Sequence, residues 1–207
     1  GGWERPEEQL REASAEERAQ VVARIISQVS SSCGTIRAED VVSVERVTPP
    51  AKSVHMHQAY KTAPLDENDT AKSEMVLYHG APEVSIYGIV RNGFSRSYSS
   101  AISGEGNGYS YGIGVYFAAK ASHSLRYCRP DEEGNIKLLV CKVLVGGVAV
   151  GSHESITPPS GADTFVNQVD HPSVYVAPHD HQALPEYLIT LKKSFEETSQ
   201  PAQLTKQ

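Results

Sequence analysis

What most constrains the fold of this 207-residue chain is a set of short β-branched runs in its second half with few helices between them. Residues 112–118, 136–145, 174–177 and 187–191 are rich in Val, Ile, Leu, Tyr and Phe and are bounded by Gly, Pro or Asp. Parallel neighbours need a crossover of a dozen or more residues, usually a helix. Few helices fall between the late strands, so these strands are expected to pair antiparallel. Two further strands are expected at 41–47, which Pro49-Pro50 stops, and at 75–78, ending in His79-Gly80. The apolar run Leu138-Leu139-Val140-Cys141 continues past Lys142 into Val143-Leu144-Val145 and reads as a buried strand. No apolar run reaches the ~20 residues a transmembrane helix needs.

Helices are expected at four places. Ser14 with Glu17 forms a capping box, followed by a stripe of Val21, Val22, Ile25, Ile26 and Val29. A short helix is expected over 52–60. Pro82 and Gly93 bracket another over 82–92, and a fourth covers 119–127. Residues 61–73 read as an exposed loop, and 95–111, full of Ser, Gly and Tyr, as a long one. The fold class is therefore α+β, with sheets facing each other or a helix. Residues 1–13 are expected to be a leader, 14–194 one domain, and 195–207 a disordered tail.

Net charge is −6, from 19 basic and 25 acidic residues, without the basic stripe that neutralises phosphates. This argues against a dedicated nucleic-acid binder. A small ligand with two phosphates remains compatible, because backbone N–H groups and hydroxyls can hold it. Cys33, Cys128 and Cys141 are odd in number and form no CxxC pair, which points to reduced thiols and an intracellular compartment. The start, Gly1-Gly2-Trp3-Glu4, lacks the basic and apolar regions of a secretion signal.

Several local patterns carry little. Gly104-Glu105-Gly106-Asn107-Gly108 precedes a strand rather than opening a helix, so it reads as a flexible loop and not a nucleotide-binding turn. His179-Asp180-His181, with His171 nearby, lacks further ligands at zinc-site spacing and reads as surface histidines at a strand end. His55-x-His57 reads the same way. No metal is expected. Glu186 reads as a solvated residue or an ion-pair partner at a sheet edge.

One ordered constellation is more specific. It comprises Leu77-Tyr78-His79-Gly80, then Tyr109-Ser110-Tyr111-Gly112-Ile113-Gly114-Val115-Tyr116-Phe117-Ala118, then Ser124-Leu125-Arg126-Tyr127. It continues with His171-Pro172-Ser173-Val174-Tyr175-Val176 and Gln182-Ala183-Leu184-Pro185-Glu186-Tyr187-Leu188-Ile189-Thr190. Together these strongly resemble the catalytic domain of the poly(ADP-ribose) polymerase superfamily, the diphtheria-toxin-like ADP-ribosyltransferases. The resemblance is closest to the mono-ADP-ribosylating branch that in some members carries macrodomains. It implies an ADP-ribosyltransferase fold, with an N-terminal helix and antiparallel sheets forming an NAD cleft.

The resemblance implies that NAD is the co-substrate, cleaved at the nicotinamide–ribose bond through an oxocarbenium-like ribose. Gly80 would offer its backbone N–H and C=O to the carboxamide, and Ser124 its hydroxyl to the carboxamide oxygen. Tyr116 and Tyr127 would stack on the ring. His79 matches the family histidine that hydrogen-bonds a hydroxyl of the adenine-side ribose. Ala81, Gly88, Ser95 and Tyr109 fall among the donor-site positions. Polymerising members have a glutamate where this chain has Val174, so the catalytic triad reads His79-Tyr116-Val174. Without that carboxylate, transfer of a single unit is expected rather than chain growth. Ile113 replaces a lysine common between the two glycines, and the 95–111 loop is several residues longer than the family pattern. Expected partners are protein acceptors, the chain itself among them, and nicotinamide-like inhibitors. Nucleic acid as an acceptor is not indicated, no membrane is involved, and a monomer is expected. The competing reading is a catalytically silent module that keeps the fold for binding or scaffolding.

Overall fold

The computed structural model describes residues 4–27, 36–62, 72–98 and 110–192. In chain order the elements are β1 (Leu10–Glu12), α1 (Ala15–Ser27), β2 (Val41–Val47), α2 (Ala51–Thr62), β3 (Glu74–Gly80), α3 (Glu83–Asn92) and β4 (Val115–Ala118). There follow α4 (Ala121–Ser124), β5 (Asn135–Leu144), β6 (Val148–Val150), β7 (Thr164–Val166), β8 (Val174–Ala177) and β9 (Ala183–Lys192). The strands form one sheet in the order β1-β2-β9-β5-β3-β4-β8-β7-β6. Every pairing is antiparallel except β6 with β7. The α+β class and antiparallel pairing follow expectation. The expected facing sheets are instead two blocks of one sheet, joined between β3 and β4 by the single pair Tyr78–Ala118.

β5 is the spine. Its residues alternate between two cores: Leu139, Cys141 and Val143 face α3, while Ile136, Leu138 and Val140 face α1. Burial on both sides is why the strand reads as a nearly continuous apolar run. On one face α3 contributes Ile86, Tyr87 and Val90, joined by Phe94, Phe117 and Tyr175. On the other, α1 contributes Val21 and Ile25, which pack with Tyr78 and Ile189.

The Ser14–Glu17 capping box forms, with Glu17 N–H donating to Ser14 Oγ at 3.2 Å and Ser14 N–H to Glu17 at 2.9 Å. Where β5 meets β9, Val140 pairs Tyr187 and Cys141 pairs Pro185, so Glu186 is the extra residue of a bulge. That bulge accommodates Pro185, which has no N–H to give a ladder.

Three strands escape sequence reading because each is only three residues long. β1 pairs with β2, Leu10 opposite Val47, so the sheet already begins within the residues assigned to a leader. β6 and β7 lie at the far edge. The expected helix over 119–127 is one turn, Ala121–Ser124, followed by a 3₁₀ turn at Leu125–Tyr127. The disordered tail at 195–207, Val29, Cys33 and Tyr109 lie outside the described residues.

The corner after β8 is tied down by Gln182, which is fully buried. Its Nε2 donates to Leu144 O and Asp163 O, both at 3.1 Å, and its Oε1 accepts from His179 N–H at 2.9 Å. Gln182→Leu keeps the bulk but strands these buried groups, and should lower unfolding free energy by about 1–3 kcal/mol. Urea unfolding measures it, and an unchanged midpoint would show that the corner is held by packing alone.

Candidate active site

The candidate site assembles where the sheet is weakest. β3 ends at His79-Gly80, one residue past the bridging pair. β4 carries Tyr116, and β8 places Val174 opposite Ala118 and Val176 opposite Tyr116. Side chains directly opposite share a face. Tyr116 and Val174 therefore face one side, while Phe117 and Tyr175 point into the core beside α3. Val174 and Tyr116 are both half-buried.

His79 is fixed in one tautomer. Its Nδ1 donates to the backbone carbonyl of Tyr116 at 2.8 Å, which leaves Nε2 as the acceptor of a neutral ring. The ring meets Phe94 edge-on at 5.3 Å and lies 5.6 Å from Phe117. Burial holds its pKa below the ordinary 6.5, against a smaller opposing effect of the bond to Tyr116.

Tyr116 is fixed as well. Its hydroxyl donates to Gly112 O at 2.8 Å and accepts from Tyr111 N–H at 3.2 Å. Gly112 supplies that carbonyl from a φ of +112°, which a side chain would strain.

Gly80 has a second reason to be glycine. A Cβ there would lie 1.9 Å from the backbone carbonyl of Ser124. Only glycine lets α4 seat this closely on β3, which brings Ser124 to the end of the strand. The Ser124 hydroxyl, almost fully buried, donates to Tyr78 O at 2.9 Å. Its proton is therefore engaged, and donating it to a ligand requires the hydroxyl to rotate. Tyr127 stands 61% exposed, a free aromatic face beside the buried Ser124.

The remaining expected positions are more dispersed. Ala81 is half-buried against the α3 core. Gly88 is in α3, with open space where a Cβ would stand. Ser95 is turned toward the corner after β8: its hydroxyl donates to Asp180 at 3.4 Å, and Arg96 N–H donates to the same carboxylate at 2.6 Å. Phe94, next to Ser95, is the residue that reaches His79.

Sequence reasoning missed Phe94, Phe117 and Asp180 as supports of the site. It also missed Asn167, whose Oδ1 accepts from the N–H groups of Ser173 and Val174 and so fixes the entry to β8. Asn167 sits six residues before Ser173 in a polar loop, a spacing that suits such a closure. Asp180 gave no local signal.

Glu186 is an ion-pair residue, as expected, 3.1 Å from Lys142 and 3.5 Å from Arg46, but on β9 between β2 and β5 rather than at a sheet edge. His179 precedes and His181 lies within the 3₁₀ turn Asp180–Gln182, with their rings stacked 5.5 Å apart. His57 corrects the surface reading given to it. It is buried, and its ring contacts His181 O at 3.0 Å and Glu74 at 3.4 Å. Among the described residues no three His, Cys, Asp or Glu side chains group in a way that could hold a metal ion. No described helix is long and apolar enough to cross a membrane.

The family model for the poly(ADP-ribose) polymerase catalytic domain matches residues 17–157. This chain belongs to that family. It is 36% identical over 179 residues to the human protein mono-ADP-ribosyltransferase PARP14, covering 82% of this chain and 9% of that protein. It is 36% identical over 190 residues to mouse protein mono-ADP-ribosyltransferase PARP10, covering 87% and 19%. Human protein mono-ADP-ribosyltransferase PARP12 is 30% identical over 139 residues, covering 64% and 19%. The chain thus spans less than a fifth of the length of these relatives.

The half-buried, neutral His79 makes a test of this geometry. Below pH 6.5 the unfolded chain takes up a proton that the folded ring resists, so stability falls as pH drops. His123, His179 and His181 are lowered by burial too and add to the slope. His79→Asn should flatten it in part, read from urea unfolding between roughly pH 7.5 and 5. An identical slope in both proteins would mean the ring is solvated.

Proposed function

We propose that this domain transfers a single ADP-ribose unit from NAD to protein side chains, with release of nicotinamide. The observation that carries the reading is the joint placement of His79, Gly80, Tyr116 and Ser124 around the β3–β4 junction, in a chain of this family. The three relatives described above are each named a protein mono-ADP-ribosyltransferase, which supports the same reaction class.

The residues suit the donor. The strand end at Gly80 offers backbone polar groups, and Ser124 adds a hydroxyl at the same level. Tyr116 and the exposed Tyr127 supply aromatic faces for a flat ring. With Nδ1 committed to Tyr116 O, His79 Nε2 accepts a hydrogen bond from a ribose hydroxyl and orients the sugar. NAD supplies the ADP-ribose and nicotinamide as its leaving group. These side chains bind and orient, and none acts as a base toward the acceptor.

Val174 occupies the position that faces the acceptor, and it cannot accept a hydrogen bond. Activation of a weakly nucleophilic ribose hydroxyl by a general base contributes ~10²–10⁴-fold. An acidic acceptor is already ionised at neutral pH and needs no such help. Single-unit transfer to acidic side chains, those of the domain itself included, fits this arrangement. The buried free thiols Cys128 and Cys141 accord with an intracellular setting, in cytoplasm or nucleus.

Incubation of the pure domain with labelled NAD, followed by a denaturing gel and mass spectrometry, should give discrete products with one unit per site. A ladder of polymer would refute single-unit transfer, and no label at all would favour the silent-module reading. His79→Ala should abolish labelling, whereas Glu186→Gln should retain it. Loss in the Glu186 variant would move the catalytic centre to β9.

Nicotinamide-like compounds should bind at Ser124. Ser124→Ala should weaken benzamide by about 1 kcal/mol, the net scale of one neutral hydrogen bond. A thermal-shift titration reads this, and a wild-type protein that benzamide fails to stabilise would sink the pocket assignment.

A further inference from the structure

On the other side of β3 from the His79 ring, between α1 and the sheet, lies a cavity of about 120 Å³. Val21 and Ile25 of α1 line it from one side and Val140 of β5 from the other. Tyr78 also lines it. Tyr78 is wholly buried, and its hydroxyl has no hydrogen-bond partner. Native proteins seldom leave a buried hydroxyl unpaired.

Arg24 and Glu186 complete the polar lining that matters here. They are not equivalent. Glu186 is the only carboxylate of the lining and is already paired with Lys142 at 3.1 Å and Arg46 at 3.5 Å. The Arg24 guanidinium makes no hydrogen bond or ion pair among the described residues. Its charge acts on the Tyr78 phenol, whose pKa burial pushes up to about 12. A protonated phenol and an uncommitted guanidinium therefore address the same space, bordered by three aliphatic side chains.

We propose that this cavity is a second ligand site, for a small organic molecule with an apolar body and one carboxylate. The carboxylate accepts from Tyr78 Oη and pairs with Arg24, and the apolar body lies against Val21, Ile25 and Val140. The size suits such a ligand, since a dry cavity of roughly 150 Å³ holds benzene. A second negative charge on the ligand would face Glu186, which limits the class to monocarboxylates.

The site is separate from the candidate active site. None of the residues that line the cavity belongs to the candidate active site, and Tyr78 points toward α1 while the His79 ring lies against Phe94 and Phe117. The two are nevertheless one residue apart, and Tyr78 O holds the Ser124 hydroxyl.

The test is an NMR titration of the ¹⁵N-labelled chain with 3-methylbutanoate, and with 3-methylbutanamide as its uncharged counterpart. The expected result is saturable shifts at the amides of Val21, Ile25, Tyr78 and Val140 with the acid, and none with the amide. Tyr78→Phe and Arg24→Gln should each weaken binding roughly tenfold, the loss of one hydrogen bond to a charged group. Cooperative urea unfolding checks that each variant folds, and exposed Arg24 carries the test if Tyr78→Phe does not. No shifts would leave the cavity a place for water only and overturn the proposal. Shifts centred on Gly80, Ser124 and Tyr127, equal binding of the amide, or full affinity in the folded variants would overturn it too.

Discussion

One residue pair, Tyr78 with Ala118, joins the two blocks of the sheet, and the candidate active site depends on how that junction is held. β3 is bonded to β5 along its whole length, from Glu74 opposite Leu144 to Gly80 opposite Leu138. Its other edge meets β4 once and then diverges. Strands that part after a single pair leave backbone groups and side chains facing a crevice instead of a ladder. The His79–Tyr116 hydrogen bond bridges that divergence, and α4 covers it, seated on Gly80 and held by Ser124. The residues that hold the junction are thus the ones that could hold a ligand.

The block carrying β4 and β8 needs its own anchors, because one pair of residues cannot align it. Gln182 supplies one, linking the corner after β8 to the end of β5 and to β7 through Leu144 O, Asp163 O and Thr164 Oγ1. Asp163 supplies another. It accepts from Tyr60 Oη at 3.0 Å and lies 3.6 Å from Lys72, whose ammonium also sits over the Tyr60 ring. Lys72 and Asp163 are both buried. Such a pair is costly to desolvate, and removing either member would take away a buried ion-pair partner of the other. α2 is thereby tied to the β7 end of the sheet, although its sequence shows no apolar stripe to announce the contact.

Much of the fold was legible because its signals are local. The β5 run is apolar on both faces and is buried on both, Ser14 and Glu17 cap α1, and Pro82 and Gly93 bracket α3. The three-residue strands β1, β6 and β7 were not legible, since three residues carry no period. His57 was misread for a related reason. Its burial comes from Glu74 and His181, which are remote in sequence. At the site, residue identities came from the ordered motifs, whereas the supports did not. Phe94, Asp180 and Asn167 act through contacts that only folding creates. Gly80 was legible as a glycine that must stay one, but its neighbour in the structure is the Ser124 carbonyl.

The absence of a carboxylate at Val174 matters only if no other acid takes its place, and here the placement of the neighbours decides. Glu186, twelve residues further along the chain, is drawn by the β9 bulge toward Lys142 and Arg46. Asp180 is closer to β8 in sequence but already accepts from Ser95 and Arg96, holding the chain that follows Phe94. Asn167 reaches Val174 itself, yet its oxygen is spent on the backbone N–H groups of Ser173 and Val174, and an amide is no base at neutral pH. Of these three groups only Asn167 touches position 174, and it is committed to the backbone there. A glutamate introduced there would enter a half-buried site whose nearest donors are already engaged, so desolvation would favour its neutral form. That physical cost argues that the valine belongs to a consistent local design rather than being an isolated substitution.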